Sequence, residues 1–523
     1  MELQDKFSGH IILLGLPAWG HLRPLCALAT KFVKESPDVV VALFIVGGFE
    51  QRVESEINRY LLGPEIHRKE NIRIINLGGE GAEVFELMPT LVENFPVFYD
   101  KLMNCETISS AAVGKTFAVM RDPTAAIIDV FLLDILRSIR SRSGKKVPVY
   151  AWQTTYSSAT LRIMGPEEYG GLGNVAAKAD AKAEATDQDL QVISDELYRP
   201  AGGKLITVHG LPPMYDYEFT PQEPRKDLLR NFFFNSAYNF ARECDGFFGV
   251  SSPVYEKESL DEMRAWLAET NRPVYAVGPL APPGVGREGL SESSQRAEIK
   301  SLENGSEFQI FLDKTLKSHG KNSTVYFSFG STFWPPKHEY VWIFVDSFLE
   351  HGIPFIMSYA AEEALVPEGM ATKIKESGLG LLSKWAPQQT ILNHAATGWI
   401  LTHCGQNSVT EALTQGIPLI AWPIDADQPE NATHLTLNLD VAFELIEVRT
   451  GPGLKPLYRG VTPAGTVEAV KREANDVVRR LQGPEGARKR KNAEAMKDRL
   501  AGEWEEGGNA LTDLRKFLTD TSV

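Results

Sequence analysis

From Trp385 to Gln428 the sequence reads WAPQQTILNHAATGWILTHCGQNSVTEALTQGIPLIAWPIDADQ, a run dense in groups able to grip a phosphorylated, hydroxyl-rich ligand. His403 ends an apolar, strand-like stretch. A Cys404-Gly405 turn then leads into a helix expected to open at Asn407-Ser408. A helix N-terminus has unpaired amides and a partial positive charge, so it favours a diphosphate. Trp385 offers a flat face to a base. Glu411, one turn into the helix, has two oxygens for ribose hydroxyls, and Asp427 and Gln428 follow another strand end with polar groups suited to a sugar. Each has a plainer use when taken alone: Asn407-Ser408 as a helix cap, Glu411 as a solvated helix residue, Trp385 as packing. Far upstream, His21 follows Gly20 in the turn after the first apolar run. Imidazole, with a reference pKa near 6.5, suits proton transfer at neutral pH, although a lone loop histidine is more often structural.

These groups need a scaffold that brings strand ends together. Gly9–Leu14, Val39–Val46, Ile72–Leu77, Ala125–Ile128, Val147–Trp152 and Gly246–Val250 are short continuous apolar runs, the pattern of strands buried on both faces of a parallel sheet. Leu25–Val33 has helical spacing. Strand, glycine turn, helix, strand opens an α/β fold. The theme restarts at Ser323–Phe329 and continues through Pro354–Ser358, Gly380–Leu382, Gly398–Thr402 and Leu419–Trp422. Between the halves, 279–305 is rich in Pro, Gly, Ser and charge and reads as a linker. Residues 165–198 read as an inserted surface helix, or more sharply as a lid.

The chain has 523 residues, 43% hydrophobic and 23% charged, which suits two large domains of a soluble protein. A formal net charge of -14 argues against nucleic acid as a partner, since binding phosphates broadly needs basic surface. Cys26, Cys105, Cys244 and Cys404 are dispersed and suit a reducing compartment. The apolar run at Ile11–Leu16 is too short for a signal peptide, and no stretch is long enough to span a bilayer. The expectation is a cytoplasmic monomer.

The order and spacing of W-x-P-Q at Trp385, H-C-G at His403, N-S at Asn407, E at Glu411, G-x-P at Gly416, W-P at Trp422 and D-Q at Asp427 resemble the C-terminal box of the family 1 UDP-glycosyltransferases, in their plant and fungal small-molecule branch. VYFSFGST at Val325, VGPL at Val277 and EGGNALTDLRKFL at Glu506 extend the resemblance over most of the chain. Gly20-His21-Leu-Arg-Pro24 resembles the family's catalytic-histidine turn.

The resemblance implies a GT-B fold: α/β, two Rossmann-like domains with parallel sheets facing across a cleft. The acceptor domain would be 1–278, with a closing helix at about 503–523 packing back, and the UDP-sugar domain 306–502. It implies that Trp385 stacks on uracil and the Ala386 backbone pairs with it. Gln388 and Glu411 would hold the ribose. Ser331, His403, Asn407 and Ser408 would hold the diphosphate, Asp427 and Gln428 the sugar, and Gly405 would also belong to the donor site. His21 would be the general base and Asp129 its partner, with Asp134 the rival. Thr154 would touch the sugar, with Thr155 as the alternative register. Gln406 stands where the family usually has Trp; its backbone amide survives, but the sugar pocket is altered. The terminal Gln428 favours UDP-glucose as co-substrate, with no further cofactor.

The acceptor implied is a small lipophilic molecule with a hydroxyl. Trp19, Phe85, Met88, Phe95, Tyr156 and Met164 are wall candidates, each equally suited to the core. Asp425-Ala-Asp427 spells D-x-D, but no carboxylate or histidine cluster accompanies it, so no metal is expected. Adjacent His403 and Cys404 are not a nucleophilic dyad, which is built in space. A nicotinamide-dependent oxidoreductase is the second reading, weakened because the first turn is Gly15-x-x-x-x-Gly20 rather than G-x-G-x-x-G. A catalytically silent sugar-nucleotide-binding protein is the third, weakened by His21 and Asp129.

Overall fold

The apolar runs become strands because two parallel sheets, each covered on both faces, bury nearly every residue in them. A computed structural model describes the chain apart from residues 1–6, 82, 112–113, 120, 187, 225–229, 282–294, 297, 300–304 and 523. Most of the expected linker, 279–305, thus lies outside the described residues. The chain divides into two units, Met1–Lys178 with Arg230–Pro282 and Glu503–Val523, and Ala179–Leu229 with Pro283–Gly502.

In the first unit the strands are β1 (Gly9–Leu14), β2 (Val39–Ile45), β3 (Ile72–Asn76), β4 (Ala125–Asp129), β5 (Val149–Gln153), β6 (Gly246–Gly249) and β7 (Val274–Ala276). They form one parallel sheet in the order β7-β6-β5-β4-β1-β2-β3. The order reverses between β1 and β4. Open α/β sheets bind ligands beyond the carboxyl ends of the strands at such a reversal. Helices α1 (Trp19–Glu35), α2 (Val84–Met103), α3 (Ser157–Met164), α4 (Arg230–Glu243) and α5 (Pro253–Ala268) belong to this unit, as does the closing helix Asn509–Asp520. Phe517 of the closing helix packs 4.6 Å from Phe248 and 5.5 Å from Phe32, ring centre to ring centre. Asp513 accepts the backbone amide of Ala276 at 2.7 Å.

The second unit repeats the plan with β8 (Thr324–Ser328), β9 (Phe355–Ser358), β10 (Gly380–Ser383), β11 (Thr397–Thr402), β12 (Leu419–Ala421) and β13 (Ala442–Glu444). The parallel order is β10-β9-β8-β11-β12-β13, reversing between β8 and β11. Helices α6 (Gln388–Asn393), α7 (Gln406–Thr414) and α8 (Gln428–Thr433) follow β10, β11 and β12. Residues 165–198 contain two helices, Val175–Thr186 and Leu190–Tyr198. Among the described residues, no helix is long and apolar enough to cross a membrane.

Two histidines are buried at these strands. His10 in β1 lies with Nδ1 2.8 Å from the Arg121 carbonyl, and His403 follows β11. Burial pulls each from 6.5 down to about 4. Below 6.5 the unfolded chain takes up protons that the folded chain refuses. Stability is therefore full above pH 6.5 and declines as pH falls toward 4, by about 3 kcal/mol for each histidine at about 1.4 kcal/mol per pKa unit. Urea unfolding at pH 7, 5.5 and 4.5 should show this decline, and His10→Gln should make it shallower. An unchanged slope in the variant would mean that His10 titrates freely when folded.

Candidate active site

In the first unit the candidate residues gather at the β1/β4 reversal. Asp129 is the last residue of β4 and is fully buried. Its Oδ2 accepts the Leu16 amide at 3.1 Å, and its Oδ1 accepts the Phe131 amide at 3.2 Å. The same Oδ2 lies 2.7 Å from Nδ1 of His21. Two backbone donors thus fix the carboxylate, and the carboxylate fixes the ring. With Nδ1–H donating to Asp129, the lone pair of the neutral imidazole sits on Nε2, the atom that can take a proton. The Thr154 hydroxyl is 3.4 Å from the same Nδ1. The His21 side chain keeps 21% of its surface, so a substrate can reach it.

His21 belongs to the helix rather than to the preceding turn. It is the third residue of α1, and Pro24 lies inside the helix. The glycine and proline of GLPAWGHLRP read as a turn, but the fixed φ of Pro24 is a helical one and its missing N–H is tolerated near the start. Among the rivals, Asp134 is exposed on the helix Leu133–Ser143, and Thr155 contacts the Thr160 hydroxyl. Thr154 is held by an unpredicted device. The buried Glu256 carboxylate accepts the amides of Ser157 and Ser158 at the start of α3, and the Ser251 hydroxyl at 2.6 Å. An acid on α5, which follows the neighbouring strand β6, thereby caps the helix that follows Thr154.

In the second unit another set of candidate residues gathers at the β8/β11 reversal. His403 follows β11, Cys404 adopts φ +67°, and Gly405 is the N-cap of α7, which begins at Gln406 rather than at Asn407. Asn407 and Ser408 are therefore inside the first turn and are not its cap. Gly405 has no side chain, so no side-chain cap occupies the helix's leading amides. Gly330, at φ +77° after β8, lets the backbone approach His403: a Cβ there would lie 3.0 Å from Cε1 of its ring. A Cβ on Gly405 would lie 2.6 Å from Nε2. Ser331 is exposed beside Gly330. Burial makes His403 neutral at neutral pH, so it offers an anion a hydrogen bond rather than charge.

Trp385 lies past β10 with 40% of its surface exposed, and the Ser383 hydroxyl donates to its carbonyl at 2.8 Å. Ala386 is buried, and Gln388 opens α6. Nε2 of Gln388 donates to Oε2 of Glu411 at 2.8 Å, joining α6 to α7 as a polar pair. Asp427 is the residue before α8. Asn431, which the sequence reading missed, donates from Nδ2 to Oδ2 of Asp427 at 2.8 Å and to the Cys404 carbonyl at 2.9 Å. It ties the β11 and β12 strand ends together; its only sequence signal is its place one helical turn after Asp427. Oε1 of Gln428 accepts the Ile424 and Asp425 amides at 2.9 and 3.0 Å. What Gln428 retains for a ligand is its N–H side. Gln406 is buried, and its Nε2 donates to the Thr410 hydroxyl at 2.8 Å. Among the described residues, no three His, Cys, Asp or Glu groups come together as a metal site.

Residues 300–449 match the family model of the UDP-glucoronosyl and UDP-glucosyl transferases. The chain is 30% identical over 524 residues to UDP-glycosyltransferase eriJ of Hericium erinaceus, covering 97% of this chain and 98% of that one. It is 28% identical over 333 residues to the zeatin O-xylosyltransferase of Phaseolus vulgaris, covering 60% of this chain and 65% of that one. Among solved structures it is similar to Medicago truncatula UGT71G1 complexed with UDP-glucose, with a TM-score of 0.64 at 19% identity, covering 99% of each chain.

Proposed function

The chain belongs to the family 1 UDP-glycosyltransferases, enzymes of GT-B fold that move a sugar from a UDP-sugar to a small molecule, and on that premise we propose that His21 is the general base of an inverting transfer of glucose to a hydroxyl. The observation that carries this reading is the 2.7 Å contact between Nδ1 of His21 and a buried Asp129 already held by two amides.

In the proposed reaction Nε2 of His21 removes the acceptor hydroxyl proton while that oxygen attacks the anomeric carbon. The bond from that carbon to the diphosphate breaks, and UDP departs with the electron pair. Asp129 stabilises the imidazolium that forms. His403, Ser331, Asn407, Ser408 and the amides around Gly405 and Gln406 bind the diphosphate, where aligned backbone dipoles oppose the charge of the leaving group. The Gln388–Glu411 pair holds the ribose, Trp385 stacks on uracil and the Ala386 backbone pairs with it. Asp427, Thr154 and the N–H side of Gln428 address the sugar. Glucose is the sugar proposed. Its support is Gln428 and a structural neighbour that holds UDP-glucose, although one relative named above is a xylosyltransferase. The reading places the enzyme in the cytoplasm, in keeping with four free cysteines.

UDP release from UDP-glucose, measured with and without phenolic and terpenoid alcohols, tests the proposal. Acceptor-dependent release, with the glycoside detected by mass, is expected; no release with any acceptor would overturn it. Trp385→Ala should raise KM for UDP-glucose about 5- to 150-fold, the equivalent of about 1–3 kcal/mol of base stacking, and leave kcat within a few-fold. An equal fall in kcat and kcat/KM with KM unchanged would instead place Trp385 at the transition state.

A further inference from the structure

Residues 201–223 precede every strand of the second unit in sequence, yet they belong to that unit. Hydrogen bonds tie them to the segments that flank β13. The Lys455 ammonium donates to the Ala201 carbonyl at 2.6 Å, the Tyr458 amide to Oε1 of Glu218 at 2.8 Å, and Nδ2 of Asn438 to the Gly210 carbonyl at 2.7 Å. At the far end the ties close around one residue. The Thr450 amide donates to the Pro221 carbonyl at 3.1 Å, and the Thr450 hydroxyl oxygen accepts the Glu223 amide at 2.7 Å. Gly453 packs so closely there that a Cβ on it would lie 2.1 Å from the Pro221 carbonyl oxygen. Between these anchored neighbours stands Gln222, which is 2% exposed.

Oε1 of Gln222 accepts the Thr450 hydroxyl at 3.0 Å, and its Nε2 donates to the Pro423 carbonyl at 3.3 Å. Pro423 heads the turn that leads from β12 to Asp427 and Gln428. A proline has no N–H, so its carbonyl is the one backbone group by which the head of this turn can be held. Inside the turn, the Ile424 and Asp425 amides go to Oε1 of Gln428, and Ala426 takes φ +56°. A residue other than glycine keeps that left-handed conformation only where its surroundings enforce it. Asn431 restrains the tail through Oδ2 of Asp427. Gln222 restrains the head. It is braced in turn by Thr450, whose neighbour Arg449 pairs with the buried Glu444 of β13 at 2.7 Å.

We propose that Gln222 is a positioning residue for the donor's sugar, acting through the turn 423–428 to set where Asp427 and the N–H side of Gln428 meet it. The inference rests on the reading of Asp427 and Gln428 as sugar-binding residues. The diphosphate residues of that reading lie elsewhere, at the ends of β8 and β11 and at the start of α7. Loss of the Pro423 restraint therefore loosens the grip on the sugar and spares the grip on UDP.

Calorimetric titration of UDP-glucose and of UDP into the full chain, without acceptor, separates the two grips. Gln222→Met keeps the length of the side chain and removes its amide. Its Kd for UDP-glucose should rise about 2- to 10-fold, the worth of one buried neutral hydrogen bond, while its Kd for UDP stays within about twofold. Its kcat should fall at least as far, because the anomeric carbon is no longer held in line. Gln222→Glu keeps the acceptor that Thr450 needs and loses the donor to Pro423. It should show the same split, and it carries the test if Gln222→Met does not fold. Lys455→Met removes another tie of the same segment, at Ala201, and should leave both constants unchanged. A parallel rise in both constants in the Gln222 variants would make Gln222 a packing residue, and unchanged constants would mean that the turn holds itself; either result overturns the proposal. Asp427→Ala checks the underlying reading and should weaken UDP-glucose more than UDP. If it does so and the Gln222 variants do not, the inference fails alone. If Asp427→Ala keeps the wild-type ratio of the two constants, the reading of the turn as the sugar site fails.

Discussion

His21→Ala is expected to slow sugar transfer about 10²- to 10⁴-fold, the range that general-base help contributes, with KM for UDP-glucose almost unchanged. The loss should fall on kcat because the removed atom acts only while the acceptor proton is in flight. Asp129→Asn is the companion. The amide still fills the space and can still accept from one backbone donor, but it carries no charge for an imidazolium. Its NH2 can also face Nδ1, which would move the ring proton to Nε2, where the reaction needs a lone pair. A loss of the same order as that of His21→Ala is expected. If the two residues act as one unit, the double variant should be no slower than the single His21 variant by more than about twofold. Multiplicative losses would show that Asp129 acts independently of the ring. Full turnover by His21→Ala with a hydroxyl acceptor would remove the base assignment altogether. Because Asp129 also receives the Leu16 and Phe131 amides, unfolding midpoints should accompany the rates. A variant that unfolds early reports on packing, and its rate then counts only below that temperature.

Much of this scaffold is readable in the sequence for one physical reason. A strand buried on both faces has no alternation to decode, so VVVALFI or GWILT announces itself by being apolar throughout. The last strand, Ala442–Glu444, escaped because it is three residues long and ends in a charge. Glu444 is tolerated in the interior by Arg449 at 2.7 Å and Arg459 at 2.8 Å, a pairing that neither helical nor strand periodicity signals. The start of α1 looks like a turn in the sequence because Gly20 and Pro24 usually punctuate. α7 begins one residue before Asn407, although Asn407 is by residue type a better cap than Gly405.

The site residues divide in the same way. Residues close in the chain, such as Trp385 to Gln388 or His403 to Glu411, carry their relation in their spacing. Asn431, Glu256 and Gln222 do not, since their relations exist only after the sheets have formed. Spacing was also silent on orientation. The resemblance puts Gln428 at the sugar without saying which end of its amide faces it; its oxygen is committed to the Ile424–Asp425 turn, so only its N–H side remains for recognition.

Gly405→Ala should cost about 10²-fold in kcat/KM for UDP-glucose, through geometry rather than backbone strain. Gly405 has φ -61°, which any residue adopts, so the methyl costs nothing in the backbone. Its trouble is position, 2.6 Å from Nε2 of His403. The imidazole has little room to retreat. It is buried, lies against Gly330, has Phe333 at 6.0 Å between ring centres, and has the Thr402 hydroxyl 3.2 Å from Nδ1. Either the ring turns or the start of α7 shifts, and both move donors that must meet a diphosphate within a few tenths of an ångström. Gly330→Ala should be at least as costly, because φ +77° adds backbone strain to a Cβ contact of 3.0 Å with the same ring. Gly369→Ala is the control, since its added Cβ would meet nothing within 4 Å. The distinguishing measurement is calorimetric binding of UDP alone. A weakened UDP affinity in Gly405→Ala and Gly330→Ala, with Gly369→Ala and His21→Ala unchanged, would separate the grip on the leaving group from the proton transfer. Unaltered UDP binding in Gly405→Ala would mean that His403 yields without loss and that the diphosphate does not depend on its placement.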